Sequence, residues 1–326
     1  MFKNVMVYRI GEGWSPSLSD VESALQGARF VECGATQDKS VGWTEPRGED
    51  HGPLVESVGG QWIAKLMIES KAVPGNVVRR KLDEQVAAIE ASTGRKPGKK
   101  EKRSLQDEIV LTLLPQAFAR QASVLVWIDM ASRRLVLGAS SQGKADEVVS
   151  ALLKALPGLN IALLQTTVTP QAAMTEWLLA ATPDDWPNDL CVERECTLKA
   201  TGEDAASIRY TRHHLANEEV RKHVSEGKLP TQLALSWDGR VGFVLTEGMT
   251  LKKLQFLDGL MDESGSDKKE DRFDADVALS TGLLSPLLDG LVEALGGEME
   301  WGAAPATAAS ESTPPAAPAA ADDPPF

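Results

Sequence analysis

Apolar and polar positions alternate from Phe2 to Ile10, and the run is rich in β-formers, which predicts an opening strand. Asp20–Ala28 has helical spacing, with Ser19 or Asp20 as its cap. Arg29–Cys33 reads as a second strand. Lys39–Gly52, rich in Gly, Pro and charge, reads as a loop that holds Trp43. Val55–Val58 and Gln61–Ser70 flank Gly59-Gly60, a pair suited to the positive φ angles of a tight turn, which predicts a β-hairpin.

The period then changes to that of a helix. Pro74 stands at the favoured first-turn position, and Val78, Leu82, Val86 and Ile89 form one apolar stripe. Gly94–Lys100 interrupts it with two glycines and a proline. Ser104 can cap a second helix running toward Ala119, which Pro115 must kink or end. Leu105, Ile109, Leu113 and Phe118 are its apolar positions. The expectation is an αα-hairpin with a basic turn, projecting from a sheet-based body.

Beyond it, Ser123–Ile128 and Arg134–Ala139 predict another hairpin, Lys144–Leu156 a helix and Asn160–Leu164 a strand. Thr169-Pro170 is a cap followed by proline at the first helical position, opening a helix through Leu179. Thr182–Asp189 is a turn-rich break. Glu195–Ala200 and Ser207–Arg212 read as strands, and Asn217 caps a helix to Glu226. Thr231–Trp237, Arg240–Thr246 and Thr250–Leu257 read as a meander, with Asp238-Gly239 as the first turn. Val277–Leu295 is a mostly apolar helix stopped by Gly296-Gly297. In Gly302–Phe326, sixteen of 25 residues are Ala or Pro and three are charged, a composition too poor in core-forming side chains to order itself. No repeat appears at a solenoid period.

The predicted class is α/β of the α+β type: mixed or antiparallel sheets with flanking helices and a projecting helical hairpin. The expected parts are an N-terminal sheet portion (1–73), the basic hairpin or tip (74–120), an α/β centre (121–182), a C-terminal α/β base (183–301) and a disordered tail (302–326).

Composition is that of an ordinary globular chain: 326 residues, 42% hydrophobic and 25% charged. Cys33, Cys191 and Cys196 are too few and too irregular for a disulfide framework, which points to a reducing compartment. The start lacks the apolar core of a signal peptide, and no run approaches 18 consecutive apolar residues, so the expectation is a soluble cytoplasmic protein with no membrane span.

Charge changes the picture more. The chain carries 34 basic and 47 acidic side chains, a net −13, which argues against nucleic acid. The distribution argues the other way. Lys71–Arg103 holds ten cations and four acids, a local +6, leaving −19 on the remainder. Such asymmetry fits a polyanion-binding face, and fits equally a solvated hairpin with a lysine-rich turn. Arg79, Arg80, Lys81, Arg95, Lys96, Lys99 and Lys100 are the candidates it supplies. Asp258–Asp276 carries eight acids against three cations. Asp274 and Asp276 there could belong to a divalent-metal site of a nuclease, or the stretch could be a solvated connection.

Catalytic signatures are absent: no P-loop, no G-x-G-x-x-G after a strand, no H-E-x-x-H, no G-x-S-x-G. His51, His213, His214 and His223 do not pair on a helix face, and the cysteines lack zinc spacing. Trp14, Trp43, Trp62 and Trp127 are scattered rather than set as a base-stacking platform. The expectation is no enzyme, no cofactor and no metal.

Several strings, in order, resemble one family, the bacterial recombination-associated RdgC proteins. They are Phe2-Lys3-Asn4-Val5-Met6-Val7-Tyr8-Arg9; Cys33-Gly34 followed by Gly42-Trp43; Leu113-Leu114-Pro115-Gln116-Ala117-Phe118; Trp127-Ile128-Asp129; and Thr175-Glu176-Trp177. Leu233-Ala234-Leu235 with Trp237, Leu251-Lys252-Lys253-Leu254, Arg272-Phe273-Asp274-Ala275-Asp276 and Leu291-Val292-Glu293-Ala294-Leu295-Gly296-Gly297 follow. Together they cover residues 1–299 and exclude the Ala/Pro tail.

The resemblance implies a non-enzymatic, nucleoid-associated protein that binds duplex DNA without sequence preference, with single strands left open. It implies a homodimeric ring with a positively lined hole, closed through base and tip interfaces, that restrains the RecA recombinase by occupying its substrate. Phe118 matches the phenylalanine that packs across the tip interface; the alternative is that it fills its own core. Gln116 is neutral where the family often carries a basic residue. Arg212-His213 matches a basic-polar pair implicated in DNA binding, and since an imidazole is largely neutral near pH 7, Arg212 would carry the charge. Two other classes stay open: a metal-dependent nuclease using Asp274 and Asp276, and a scaffold whose basic segment binds an acidic protein.

Overall fold

The computed structural model describes residues 1–180, 182, 185–187, 189–201, 206–257 and 269–300. The elements run β1 (Val5–Ile10), α1 (Leu18–Gln26), β2 (Lys39–Thr44), β3 (Val55–Val58), β4 (Gln61–Lys71), α2 (Gly75–Thr93), α3 (Lys99–Leu113) and β5 (Ala119–Asp129). Next come β6 (Arg134–Leu137), α4 (Gln142–Ala155), β7 (Ile161–Leu163), α5 (Pro170–Leu179), β8 (Leu190–Ala200), β9 (Ser207–Thr211) and α6 (Glu218–Ser225). Last are β10 (Lys228–Trp237), β11 (Val241–Thr246), β12 (Thr250–Phe256) and α7 (Lys269–Ala294). The class is α+β, as expected.

All twelve strands join one sheet whose strand-to-strand pairings are antiparallel, in the order β2-β4-β5-β6-β1-β12-β11-β10-β8-β9, with β3 on β4 and β7 on β1. Strand β1 sits at its centre and is buried along nearly its whole length. Its alternation serves two cores rather than one core and solvent. Val5 and Val7 enter the core under α5, α6 and α7, while Met6, Tyr8 and Ile10 enter the core under α1 and α4. The C-terminal half of the sheet coils: Lys253 of β12 reaches across β11 and β10 to Glu195 of β8.

Turn and cap chemistry decides most boundaries. Asp238 and Gly239 both have positive φ (48° and 62°), as a two-residue hairpin turn requires. Thr169 accepts a hydrogen bond from the Ala172 amide, and Asn217 accepts one from Val220, capping α5 and α6 at the expected residues. Helix α1 starts earlier than expected, because Ser17 rather than Ser19 or Asp20 is the cap: Ser17 and Asp20 form a reciprocal capping box. Helix α7 begins well before Val277.

Two readings of the N-terminal region are corrected. Arg29–Cys33 is not a regular strand; a single bridge joins Arg29 to Trp43. Lys39–Thr44, expected as loop, is β2, paired with β4 from Lys39↔Ser70 to Thr44↔Lys65. Trp43 anchors it in full burial, and the Ala28–Phe30 backbone hydrogen-bonds its outer edge. A tertiary anchor overrides weak local propensity here.

By length and mean hydropathy alone Arg272–Ala294 would suffice to cross a membrane, although charged residues interrupt its apolar run. In the fold this helix is a core element: Val277, Leu284, Leu287, Leu288 and Leu291 are fully buried in the cluster formed with the sheet. Ion pairs Arg47–Asp274 (2.6 Å) and Arg134–Asp289 (2.5 Å) fasten it to the N-terminal half of the chain. The Thr182–Asp189 break lies partly, and the Gly302–Phe326 tail wholly, outside the described residues.

Gly42 of β2 shows how tightly this edge is built. A Cβ there would stand 2.5 Å from the Phe30 Cα and 2.7 Å from its nitrogen, and backbone cannot yield as a side chain can. We expect Gly42→Ala to cost about 1–3 kcal/mol, as overpacking does. Gly13→Ala, where no atom lies within 4 Å, should be near neutral. Urea denaturation of the two variants checks this.

Candidate nucleic-acid interface

Lys71 and Ala119 are register partners at the end of the β4–β5 pair, so residues 72–118 form an insertion that leaves the sheet from two adjacent strands. Helices α2 and α3 pack on one another within it. The expected apolar stripe is present but thinly covered: of its residues only Val78 and Ile109 are buried, and Leu82, Val86, Ile89, Leu105 and Leu113 are half-buried. A helix pair with no third layer cannot bury more.

The break between the helices is shorter than expected. Helix α3 starts at Lys99, capped by Gly98 without a side-chain bond, rather than at Ser104. Once past Pro97-Gly98, the run Lys-Lys-Glu-Lys-Arg consists of good helix formers. Lys99 and Lys100 are therefore in the first helical turn and not in a loop, with Lys102 and Arg103 next to them.

The cations divide into two sets. Arg95 donates to both carboxylate oxygens of Glu101 (2.8 and 3.1 Å), and Lys96 pairs with Glu90 at 3.6 Å. Arg95 thereby holds the Glu101 carboxyl below its ordinary range. These two fasten the inter-helix turn. Arg80 has only a long contact to Glu84, at 3.9 Å. Arg79, Lys81, Lys99, Lys100, Lys102 and Arg103 are exposed and form no ion pair among the described residues. Spacing alone could not separate these sets, because the acids that quench Arg95 and Lys96 lie in the same short segment.

Phe118 follows Pro115, which ends α3 in a short 3-10 turn (Leu114–Gln116). The side chain is 91% exposed, so it does not fill its own core. Its neighbours along β5, Ala119–Ser123, are exposed as well.

Arg212 and His213 follow β9, at the far edge of the sheet. Six strands separate β9 from β5, so the structure does not bring this pair beside the hairpin within one chain. Arg212 is exposed with a positive φ of 55°. His213 donates its backbone N–H to Arg194 and lies with its ring 5.2 Å from that of Tyr210. Other cations near this edge are partly quenched: Glu195 accepts from Lys253 at 2.8 Å and from Arg209 at 2.7 Å. Glu195 carries no local sequence signal, since Arg209 reaches it from the next strand and Lys253 from one 58 residues away.

The acidic stretch does not assemble a metal site among the described residues, where no group of three or more His, Cys, Asp and Glu side chains is placed to hold an ion. Asp258–Lys268 lies outside those residues. Asp274 instead joins Arg47, which also pairs with Glu56 at 2.9 Å and stacks 4.7 Å above the Phe273 ring. Asp276, two residues on along the same helix, points about 200° away. The cysteines are free thiols, and burial pushes Cys196 up to about 12.

The protein is thus a sheet-based α+β chain that carries a cationic helical arm and, among its described residues, no cluster of side chains placed to hold a metal ion. Comparison with known proteins places it further. The family model described as "RdgC: Putative exonuclease, RdgC" matches residues 1–298. The recombination-associated protein RdgC of Dechloromonas aromatica (strain RCB) is 40% identical over 303 residues, 91% of this chain and 98% of that protein. Those of Janthinobacterium sp. (strain Marseille) and Cupriavidus necator are 38% and 40% identical, over 92% and 91% of this chain and 99% and 98% of theirs. The chain belongs to the RdgC family.

The Glu195 cluster gives a pH test. Hydrogen bonds from Lys253, then Arg209, lower the Glu195 pKa. A carboxyl lowered on folding adds stability above its unfolded value of about 4.3, and that gain is lost as pH falls through the folded value. Glu195→Gln should flatten this part of the acid limb without changing its neutral-to-basic shape, as read by urea midpoints across a pH series.

Proposed function

We propose that this protein binds DNA without sequence preference as a homodimeric ring around the duplex, and so limits access of RecA-type recombinase to its substrate. The six cations of the helical hairpin that form no ion pair among the described residues, in a chain of net −13, are the observation that carries the reading. Charges beyond a Debye length of about 8 Å are largely screened at physiological salt, so a local positive surface can hold phosphate despite an acidic whole. Cations in the first turn of α3 also sit at the positive end of a helix dipole, an arrangement unfavourable alone and offset by a nearby polyanion. Phosphate contacts carry no base information, which accounts for binding without sequence preference.

Phe118 supports the tip-to-tip contact of a dimer, because a large aromatic side chain left almost fully exposed at a loop suits burial by a second copy. Base-to-base contact would complete the ring and bring Arg212 of both copies toward the same hole. The protein acts in this reading without catalysis, in the cytoplasm, on the nucleoid. The family description names an exonuclease, and Asp274 and Asp276 are the residues such an activity would draw on here.

Replacing Arg79, Lys81, Lys99 and Lys100 by Glu should abolish retention of duplex DNA while leaving the mass in solution unchanged, measured by anisotropy and light scattering. Wild-type affinity should fall with salt at a log-log slope of about −0.9 per phosphate contacted. Magnesium-dependent loss of the labelled duplex in the same samples, cured by Asp274→Ala, would instead establish the nuclease. For the interface, we expect Phe118→Asp to shift light-scattering mass toward that of a single chain and to weaken DNA retention at fixed salt. An unchanged mass would remove Phe118 from the contact.

A further inference from the structure

Strand β6 is only four residues long and ends at Leu137, where the chain turns through Gly138 into α4. Its neighbours in the sheet, β5 and β1, continue past that point. The space that a longer β6 would fill is left as a slot of about 270 Å³ between Ser123–Leu125 of β5 and Met1–Asn4.

The lining of this slot differs in charge from that of two other cavities. The groove on the hairpin mixes Arg79 and Arg80 with Asp83 and Glu84, and the cavity between β2 and α4 sets Lys154 against Asp146 and Glu147. The slot beside β6 contains Lys3 and Lys144 and no carboxylate, in a chain with 47 acids and 34 bases. Lys3 precedes the central strand and Lys144 belongs to α4, so two separate segments bring them to one cavity. Neither forms an ion pair among the described residues. Ser123 and Ser140 add hydroxyls without hydrogen bonds among the described residues, and the Asn4 carboxamide oxygen accepts from the Lys253 amide (3.2 Å), leaving its nitrogen to donate. Two cations, two hydroxyls and an amide donor in a small polar cavity match the valence of one phosphate group.

We propose that this slot seats a phosphate of the DNA backbone, with Lys3 and Lys144 as its cations and Ser123, Ser140 and Asn4 as neutral donors. The proposal rests on the DNA-binding reading and adds a second contact region, at the middle of the sheet and apart from the hairpin. It would orient the duplex over the seam between the two halves of the sheet.

The test compares Lys3→Gln/Lys144→Gln with Lys154→Gln, a change of charge on the same helix α4 but in a different cavity. Binding of a labelled random-sequence duplex is followed by anisotropy across a salt series. The double variant should lose about 1 from the magnitude of the log-log slope, one phosphate at about 0.9, while Lys154→Gln keeps the wild-type slope. A wild-type slope in the double variant would overturn the seat and leave the hairpin reading standing. Equal losses in both variants would overturn it too, since net charge alone would then be the cause. Absence of duplex binding in the wild type would remove both. A second arm follows thermal unfolding in inorganic phosphate against chloride at equal ionic strength. Phosphate stabilisation abolished in the double variant, with an unchanged DNA slope, would make the slot a free-phosphate site and overturn the DNA assignment.

Discussion

The burial of β1 on both faces is the constraint on which the rest of the molecule depends. A strand with one solvent face can tolerate polar residues at alternate positions, but Val5-Met6-Val7-Tyr8 has none to spare. Val5 and Val7 join the cluster with α5, α6 and α7; Met6, Tyr8 and Ile10 join the one with α1 and α4. A one-residue slip would exchange the two sets and mismatch both cores at once. The same strand holds the halves of the sheet together, with β6 on one edge and β7 and β12 sharing the other.

Around that centre the molecule separates rigidity from charge. The sheet and its two helical layers hold nearly all the large buried side chains. The hairpin has a single thin seam and carries the cations. Its emergence from registered strands gives it a firm root, while the pairs Arg95–Glu101 and Lys96–Glu90 fix its far turn. Acidic partners thus stiffen the arm without cancelling the six cations that form no ion pair among the described residues. Glu195 acts differently at the opposite edge, neutralising Lys253 and Arg209 and leaving Arg212 as an exposed positive group.

Much of the fold was legible in the sequence because turns and caps are local chemistry. Gly59-Gly60, Asp238-Gly239, Thr169-Pro170 and Asn217 marked elements where the structure has them. What local chemistry does not encode was misread. β2 exists because Trp43 is buried by distant residues and Ala28–Phe30 covers its edge, neither visible in a window of ten residues. The start of α3 was displaced because a serine looked like a better cap than Gly98, whereas the Pro97-Gly98 break already frees the chain to turn. At the candidate interface the basic segment was legible as composition. Its division into quenched and free cations was not, and neither was the slot beside β6, which depends on a strand being short rather than on any motif.

The placement of β1 also has a consequence for the order of synthesis. On one edge residues 6–9 pair with β6 near residue 135; on the other, residues 8–10 pair with β7 at residues 161–163, and residues 5 and 6 with β12, which begins at residue 250. The apolar strand made among the first must wait for one made near the last before the start of its second edge is covered. Contacts of such wide sequence separation slow folding and leave intermediates exposed. The unfinished chain therefore leaves the start of this apolar strand, and the core face that Val5 and Val7 share with the last helix, open until nearly all of the protein has been made.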